Sequence, residues 1–329
     1  MKKQILAAAV AASVSAVAIA DISITGNAKY EYKNTEYSEG YTANSGNTEV
    51  NLSIVGKTGD TKVVYNIEQI GHGSCDNAGN TASAAETASD CGIDVEDNYI
   101  ETKIGDFTIK GGNMATGTSH LLGELDEGSR VSNKVAVSTN VGGVGVAYSA
   151  DPSDNSGASV TLSTTVQGIL LEMVESSDTY TAYGARGSIG GVNFRVAQKN
   201  SDSAASDESY VHVDTKVGDI TVAYAQIEAD TAGLLEESDG YFQVDPNDGA
   251  TIDEVREFKI SMPVAGNTVS LYAGTVGEGA TDNDYTKLQV NRKLASGATL
   301  DVSYLDKEDT GSSDTSSTEI LEIDLSVSF

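Results

Sequence analysis

Hydrophobic and polar residues alternate one by one from Asp21 onward, with almost no helical periodicity. Ile22, Ile24, Ala28, Tyr30 and Tyr32 share one face of an extended segment, and Ser23, Thr25, Asn27, Lys29, Glu31 and Lys33 share the other. Period two with one wet face is the signature of a strand. The pattern recurs at Val50, Leu52 and Ile54, and at Val63, Tyr65 and Ile67 against Lys62, Asn66 and Glu68. It returns at Val192, Phe194 and Val196 against Asn193 and Arg195, and at Leu321, Ile323, Leu325, Val327 and Phe329 against Glu322, Asp324, Ser326 and Ser328.

The connections alternate in length. Tight turns read at Gly59-Asp60, Gly105-Asp106, Gly142-Gly143, Gln167-Gly168, Gly190-Gly191, Gly218-Asp219, Gly266-Asn267 and Gly297-Ala298. Between them fall long polar stretches at 34–48, 71–93, 113–129, 150–159, 200–209, 229–253, 277–284 and 307–318. Segments of about ten alternating residues, joined short on one side and long on the other, predict an all-β, transmembrane, antiparallel up-and-down β-barrel. Counting hairpins gives about 18 strands, or about 16 if the marginal hairpin around 174–180 does not form.

Residues 1–20 read as an export signal, with Lys2 and Lys3, an apolar run from Ile5 to Ile19, and a small-x-small site at Ala18-Ile19-Ala20. A transmembrane anchor is the competing reading, but the run is short for the roughly 20 residues a bilayer needs. The expected division is therefore a signal peptide over 1–20 and one barrel domain over 21–329. Every later apolar run is soon broken by a polar residue, and closed barrels are the non-helical structures that satisfy all backbone groups in lipid. A soluble β-sandwich also alternates. Against it stand tyrosines near strand ends (Tyr30, Tyr32, Tyr65, Tyr148, Tyr224, Tyr304), which suit an interfacial girdle, and an aromatic last residue, Phe329.

The 329 residues carry a formal net charge of −29, which repels nucleic-acid phosphates and argues against that class of partner. Cys75 and Cys91 flank a Gly/Asn/Ala/Ser/Thr-rich stretch in an exported chain and are expected to form a disulfide. A zinc site is the poorer reading, because only His72 lies near them. His72 and His120 read as loop residues and His212 as a wet-face residue beside Asp214; no nucleophile motif or phosphate loop accompanies them. No enzyme activity, cofactor or metal is expected.

If the apolar face meets lipid, the other lines water. The basic inward candidates are Lys29, Lys62, Lys103, Lys110, Lys134, Arg186, Arg195, Lys199, Lys216 and Lys259. The acidic surplus falls largely in the long connections, as at Glu236-Glu237-Ser238-Asp239, and enriches cations at the mouth, so weak cation preference is expected.

Three stretches together resemble the Gram-negative general porins, trimeric barrels of the neisserial and purple-bacterial type. They are the opening Asp21-Ile22-Ser23-Ile24-Thr25-Gly26-Asn27, the strand-turn-strand from Ile104-Gly105-Asp106-Phe107 to Gly111-Gly112-Asn113, and the ending Leu325-Ser326-Val327-Ser328-Phe329. The resemblance implies an outer-membrane, water-filled channel for passive diffusion of small hydrophilic solutes and ions. It also implies a homotrimer in outer-membrane lipid, and a terminal Phe329 read by the barrel assembly machinery. Residues 111–128 are similar in position to the third loop of these porins, which folds into the lumen. That would set Glu124, Asp126 and Glu127 against basic wall residues including Lys29, Lys62, Lys110, Arg130 and Lys134. Two other readings compete: a structural or adhesive surface barrel with a plugged lumen, and a substrate-specific channel.

Intact mass of the envelope protein, with and without reductant, tests the ends and the cysteines. The expected species begins at Asp21 and gains two hydrogens on reduction; retention of residues 1–20, or two free thiols before reduction, overturns the corresponding half.

Overall fold

The structure is a computed structural model and describes residues 21–37, 40–72, 93–115, 130–153, 157–177, 180–201, 207–230, 242–243, 252–278, 281–309 and 316–329. The signal segment and Cys75 and Cys91 lie outside the described residues. The first strands are β1 (Asp21–Tyr37), β2 (Thr42–Thr58), β3 (Thr61–His72), β4 (Ile93–Ile104), β5 (Phe107–Ala115) and β6 (Arg130–Val141). They continue as β7 (Val144–Ala150), β8 (Ser159–Val166), β9 (Ile169–Ser176), β10 (Tyr180–Ile189), β11 (Val192–Ser201) and β12 (Glu208–Val217). The last are β13 (Ile220–Ala229), β14 (Glu254–Val264), β15 (Asn267–Glu278), β16 (Thr281–Lys293), β17 (Thr299–Asp309) and β18 (Ser316–Ser328). Each pairs antiparallel with its sequence neighbours, and β1 with β18 closes an 18-stranded barrel. The hairpin at 174–180 is real: β9 and β10 pair from Tyr180↔Ser176 to Arg186↔Leu170, which settles the count at the higher number.

Alternation holds around the whole wall. Register puts Ile22, Ile54, Tyr65, Ile100, Ile109 and Val137 on the outer face of successive strands. Apolar side chains there are open: Ile22 is 62% and Val217 67% exposed, untenable in water for a whole belt but right for lipid. Tyr30, Tyr65, Tyr148, Tyr224 and Tyr304 all fall on this outer face, as a girdle requires.

Strands outrun several expected loops. β1 and β2 extend to Tyr37 and Thr42 where 34–48 read as a connection, and β3 contains His72. β5 runs to Ala115, so residues 111–115 of the segment expected to turn inward lie in the wall. β15 and β16 leave 279–280 between them. Backbone pairing does not stop where side chains become polar: Asn44 accepts from Tyr32 Oη at 2.9 Å and from Asn34 Nδ2 at 2.7 Å, and Tyr37 stacks on Tyr41 at 4.3 Å. The turn-side hairpins are tight. Ala265-Gly266 has φ of 49° and 80°, the two left-handed residues that match strand twist in a primed turn.

The closing seam ends on Phe329. Its N–H donates to Gly26 O at 3.0 Å, and Gly26 N–H donates back to Phe329 O at 2.9 Å. Gly26 also seats the aromatic ring: a Cβ there would lie 3.0 Å from the Phe329 ring and 3.1 Å from Leu52, and would run into the Asn51 carbonyl. Gly26→Val should therefore destabilise the closed barrel by about 1–3 kcal/mol, the usual cost of overpacking. Heat-modifiable gel mobility should drop to lower temperature than in Ala28→Val, on the same face of β1; equal midpoints would remove the seat from the account.

Candidate functional site

The inner face gathers the charges. Lys29 donates to Glu31 Oε2 at 2.7 Å and pairs with Asp324 at 3.3 Å. Asp324 stands directly across from Glu31 on β1 and from Asp301 on β17, so β17, β18 and β1 form an acidic sector with Lys29 in its midst. Like charges facing across strands cost stability, and the ammonium offsets that cost. Oxygens of Glu31, Glu322 and Asp324 lie within 4.8 Å of one another, a spacing that could hold a metal ion, but Lys29 already serves two of these carboxylates.

The basic candidates lie where alternation places them. Lys62 and Lys110 both reach Glu101, at 3.1 and 3.4 Å, and flank the Tyr99 ring at 6.0 and 5.3 Å. Arg186 is directly across from Arg195, and Arg195 from His212. Lys199 pairs with Glu208 at 3.2 Å, both buried, and Lys259 sits 4.8 Å over Tyr272. Lys216 lies across from Thr221 on the inner face, and Lys103 lies near the β4–β5 turn. Arg130 opens β6 opposite Ala115. The acidic loop set Glu124, Asp126 and Glu127 lies outside the described residues, as does His120.

An apolar packing inside the barrel was not read from the sequence. Val174, Ala182, Tyr210, Ile227, Val255, Val276, Tyr285 and Leu305, all on the inner face of β9–β18, form one buried cluster. Phe242 and Ile252, from the long β13–β14 connection, are buried in it, with Phe242 edge-on to Tyr210 at 6.4 Å. The connection is tied to the wall by side chain and backbone: Glu257 Oε2 accepts from Gln243 N–H at 2.9 Å and from Tyr285 Oη at 2.8 Å, and Asp253 O accepts from Ala229 N–H at 2.8 Å. Tyr285 lies over Gly274, where any Cβ would run into the ring. Phe242 and Ile252 thus lie inside the wall, while residues 116–129 of the expected third loop lie outside the described residues.

The overlooked signal was a change of phase. Toward the loop end the apolar residues move to the inner face and the outer face becomes polar: Ile227 against Gln226 and Glu228, Val255 against Glu254 and Arg256, Leu305 against Asp306, Ile320 against Glu319. A barrel leaving the bilayer exchanges lipid outside for water, and its apolar residues then bury inward as in a soluble protein.

Along another arc of the wall, β4–β9 enclose a recess of about 780 Å³ with mixed polar and apolar lining, with Tyr99, Lys110, Lys134, Ser149, Thr161 and Glu172 among its walls. Lys134 is 2% and Glu172 5% exposed. Among the described residues the recess and the apolar cluster thus line different arcs of the wall, β4–β9 and β9–β17.

Phe242→Ala should raise single-channel conductance by removing the ring from the lumen, at a stability cost of about 3–5 kcal/mol if the cavity does not collapse. Unchanged conductance in folded protein would take Phe242 off the conduction path.

No protein-family model matches the chain, and no curated protein matches it. Solved structures do match in fold. Pseudomonas aeruginosa OpdO superposes with a TM-score of 0.62 at 12% identity, covering 94% of this chain and 97% of that one. Acinetobacter baumannii OccAB2 gives 0.57 at 13% identity, covering 94% and 98%. Pseudomonas aeruginosa OpdK, solved with vanillate, gives 0.57 at 12% identity, covering 94% and 99%. At such identities the likeness is one of fold, and that fold is the 18-stranded barrel of Gram-negative outer-membrane channels.

Proposed function

We propose that this protein is an outer-membrane channel for passive diffusion of small hydrophilic solutes and ions, with a weak preference for cations. The observation that carries this reading is the closed wall with apolar side chains outside and charged side chains inside. Cation preference draws on the acidic sector Asp301, Glu322, Asp324 and Glu31, beside the acid-rich connections of the sequence. Assembly as a homotrimer, delivery through the barrel assembly machinery by way of Phe329, and a constriction role for Glu124, Asp126 and Glu127 belong to the same proposal and rest on the porin resemblance.

A substrate-selective channel is the second reading. It is supported by the apolar packing around Phe242, which leaves less of the cross-section to solutes, and by the vanillate held by one structural neighbour. A plugged adhesive barrel would carry no current.

Reversal potentials across a salt gradient test the electrostatic part. Neutralising Glu31, Glu322 and Asp324 together should shift selectivity toward anions, most at about 0.01 M salt, where the Debye length of about 30 Å spans the lumen. Neutralising Glu124, Asp126 and Glu127 should shift it the same way if that segment borders the path. An unchanged potential in the first variant removes the wall acids from selectivity, and absence of conductance in the parent removes the channel.

A further inference from the structure

The β4–β9 recess is where the wall departs from a regular ladder. Among the described residues the pairing shifts register between Tyr65 and Ile67 on β3 and between Gly112 and Met114 on β5. Both irregularities border the recess, and bulges re-aim side chains. Gly112, at φ 143°, packs its backbone against Tyr99, so that a Cβ would strike the Asn98 carbonyl and Tyr99 itself. The result presents Tyr99, Met114 and Lys134 together to the recess.

Its charges balance. Lys103, Lys110 and Lys134 line it with Asp97, Asp106 and Glu172, in a chain whose formal net charge is −29. Asp97 accepts from Asn66 at 2.9 Å, and Lys110 is held by Glu101 at 3.4 Å, so neither sign is left in excess. Between these groups stand the hydroxyls of Ser138 and Ser163, while those of Thr161 and of Ser149, which is bonded to Ser159 Oγ at 2.8 Å, are buried in the wall. Each hydroxyl both donates and accepts, and the Tyr99 ring, flanked by Lys62 and Lys110 at 6.0 and 5.3 Å, adds an aromatic surface. An anion would be served by surplus cations and a cation by surplus acids. A balanced, hydroxyl-lined wall with one ring face complements a solute that is neutral, donates and accepts along its edge, and has an apolar ring side. The volume, about 780 Å³, lies within the range of about 300–1,000 Å³ that ligand clefts span.

Resting on the channel reading above, we infer that this recess binds neutral polyhydroxylated solutes, sugars or sugar alcohols, as a station on the diffusion path. Binding there is carried by hydrogen bonds and ring stacking, and so keeps its strength as salt rises.

The test uses the full-length protein in planar bilayers, with maltose as the neutral probe, alanine as a zwitterion and succinate as an anion. Maltose should interrupt the ionic current saturably, with a half-blocking concentration unchanged between about 0.1 and 1 M salt, although the Debye length falls from about 10 to 3 Å. Tyr99→Ala, and Ser138→Ala with Ser163→Ala, should each raise that concentration about tenfold, as losing one or two hydrogen bonds or a stacked ring would. Tyr99→Phe should restore the block, and Ser303→Ala on β17 should leave it alone. A block by succinate or alanine but not maltose, a maltose block that fades with salt, or equal block in the recess variants overturns the inference while ionic conductance keeps the channel intact. A parent barrel that conducts nothing overturns both.

Discussion

Lipid offers the backbone no hydrogen-bond partner, and everything in this molecule follows from meeting that demand with strands. An open sheet would leave two edges unsatisfied, so β1 must find β18. It does so along a ladder from Asn27↔Ser328 to Tyr37↔Thr318, finished by the paired bonds between Gly26 and Phe329. Once the wall is closed, no side chain is needed to satisfy it. The two faces are then free to take opposite chemistries, and the period of two along each strand delivers them.

What the inner face does with that freedom differs around the circumference and along the axis. Near the turn side and around β17–β18–β1, charges oppose one another through short pairs such as Lys29 with Glu31 and Asp324. Toward the loop side of β9–β18 the inner face becomes a packed apolar interior closed by Phe242 and Ile252. The two regimes meet at Glu257, whose carboxylate receives both the wall tyrosine and the incoming backbone of Gln243. A buried carboxylate is costly unless hydrogen-bonded, and those two donors are what let it stand at the edge of an apolar cluster. Among the described residues the inner face is consequently uneven around the circumference, with a recess along β4–β9 and apolar packing along β9–β17.

The class, the closed antiparallel topology and the inner or outer side of most wall residues were legible in the sequence, because alternation is a local property that no distant contact has to supply. Lys62, Lys110, Arg186 and Arg195 were assigned to the lumen from parity alone, and register puts them there. The higher strand count was legible too, though the hairpin at β9–β10 needed its ladder to be certain. Strand ends were misread where pairing outlasts apolar composition, as at Tyr37 and Thr42, since a polar side chain costs a ladder nothing in water.

Residue order by itself determined that this chain is a closed barrel with an apolar outer face, since parity and turn chemistry are written residue by residue. Only the tertiary structure decided what the interior contains. Phe242 reaches Tyr210, and Gln243 reaches Glu257, across strands whose separation along the chain carries no periodic trace. The grouping of Tyr99, Lys134, Thr161 and Glu172 around one recess likewise depends on register and on two bulges, which bring residues from β4, β6, β8 and β9 to a common height. Parity names the side of the wall on which a residue lies; closure and register alone say which residues it meets there.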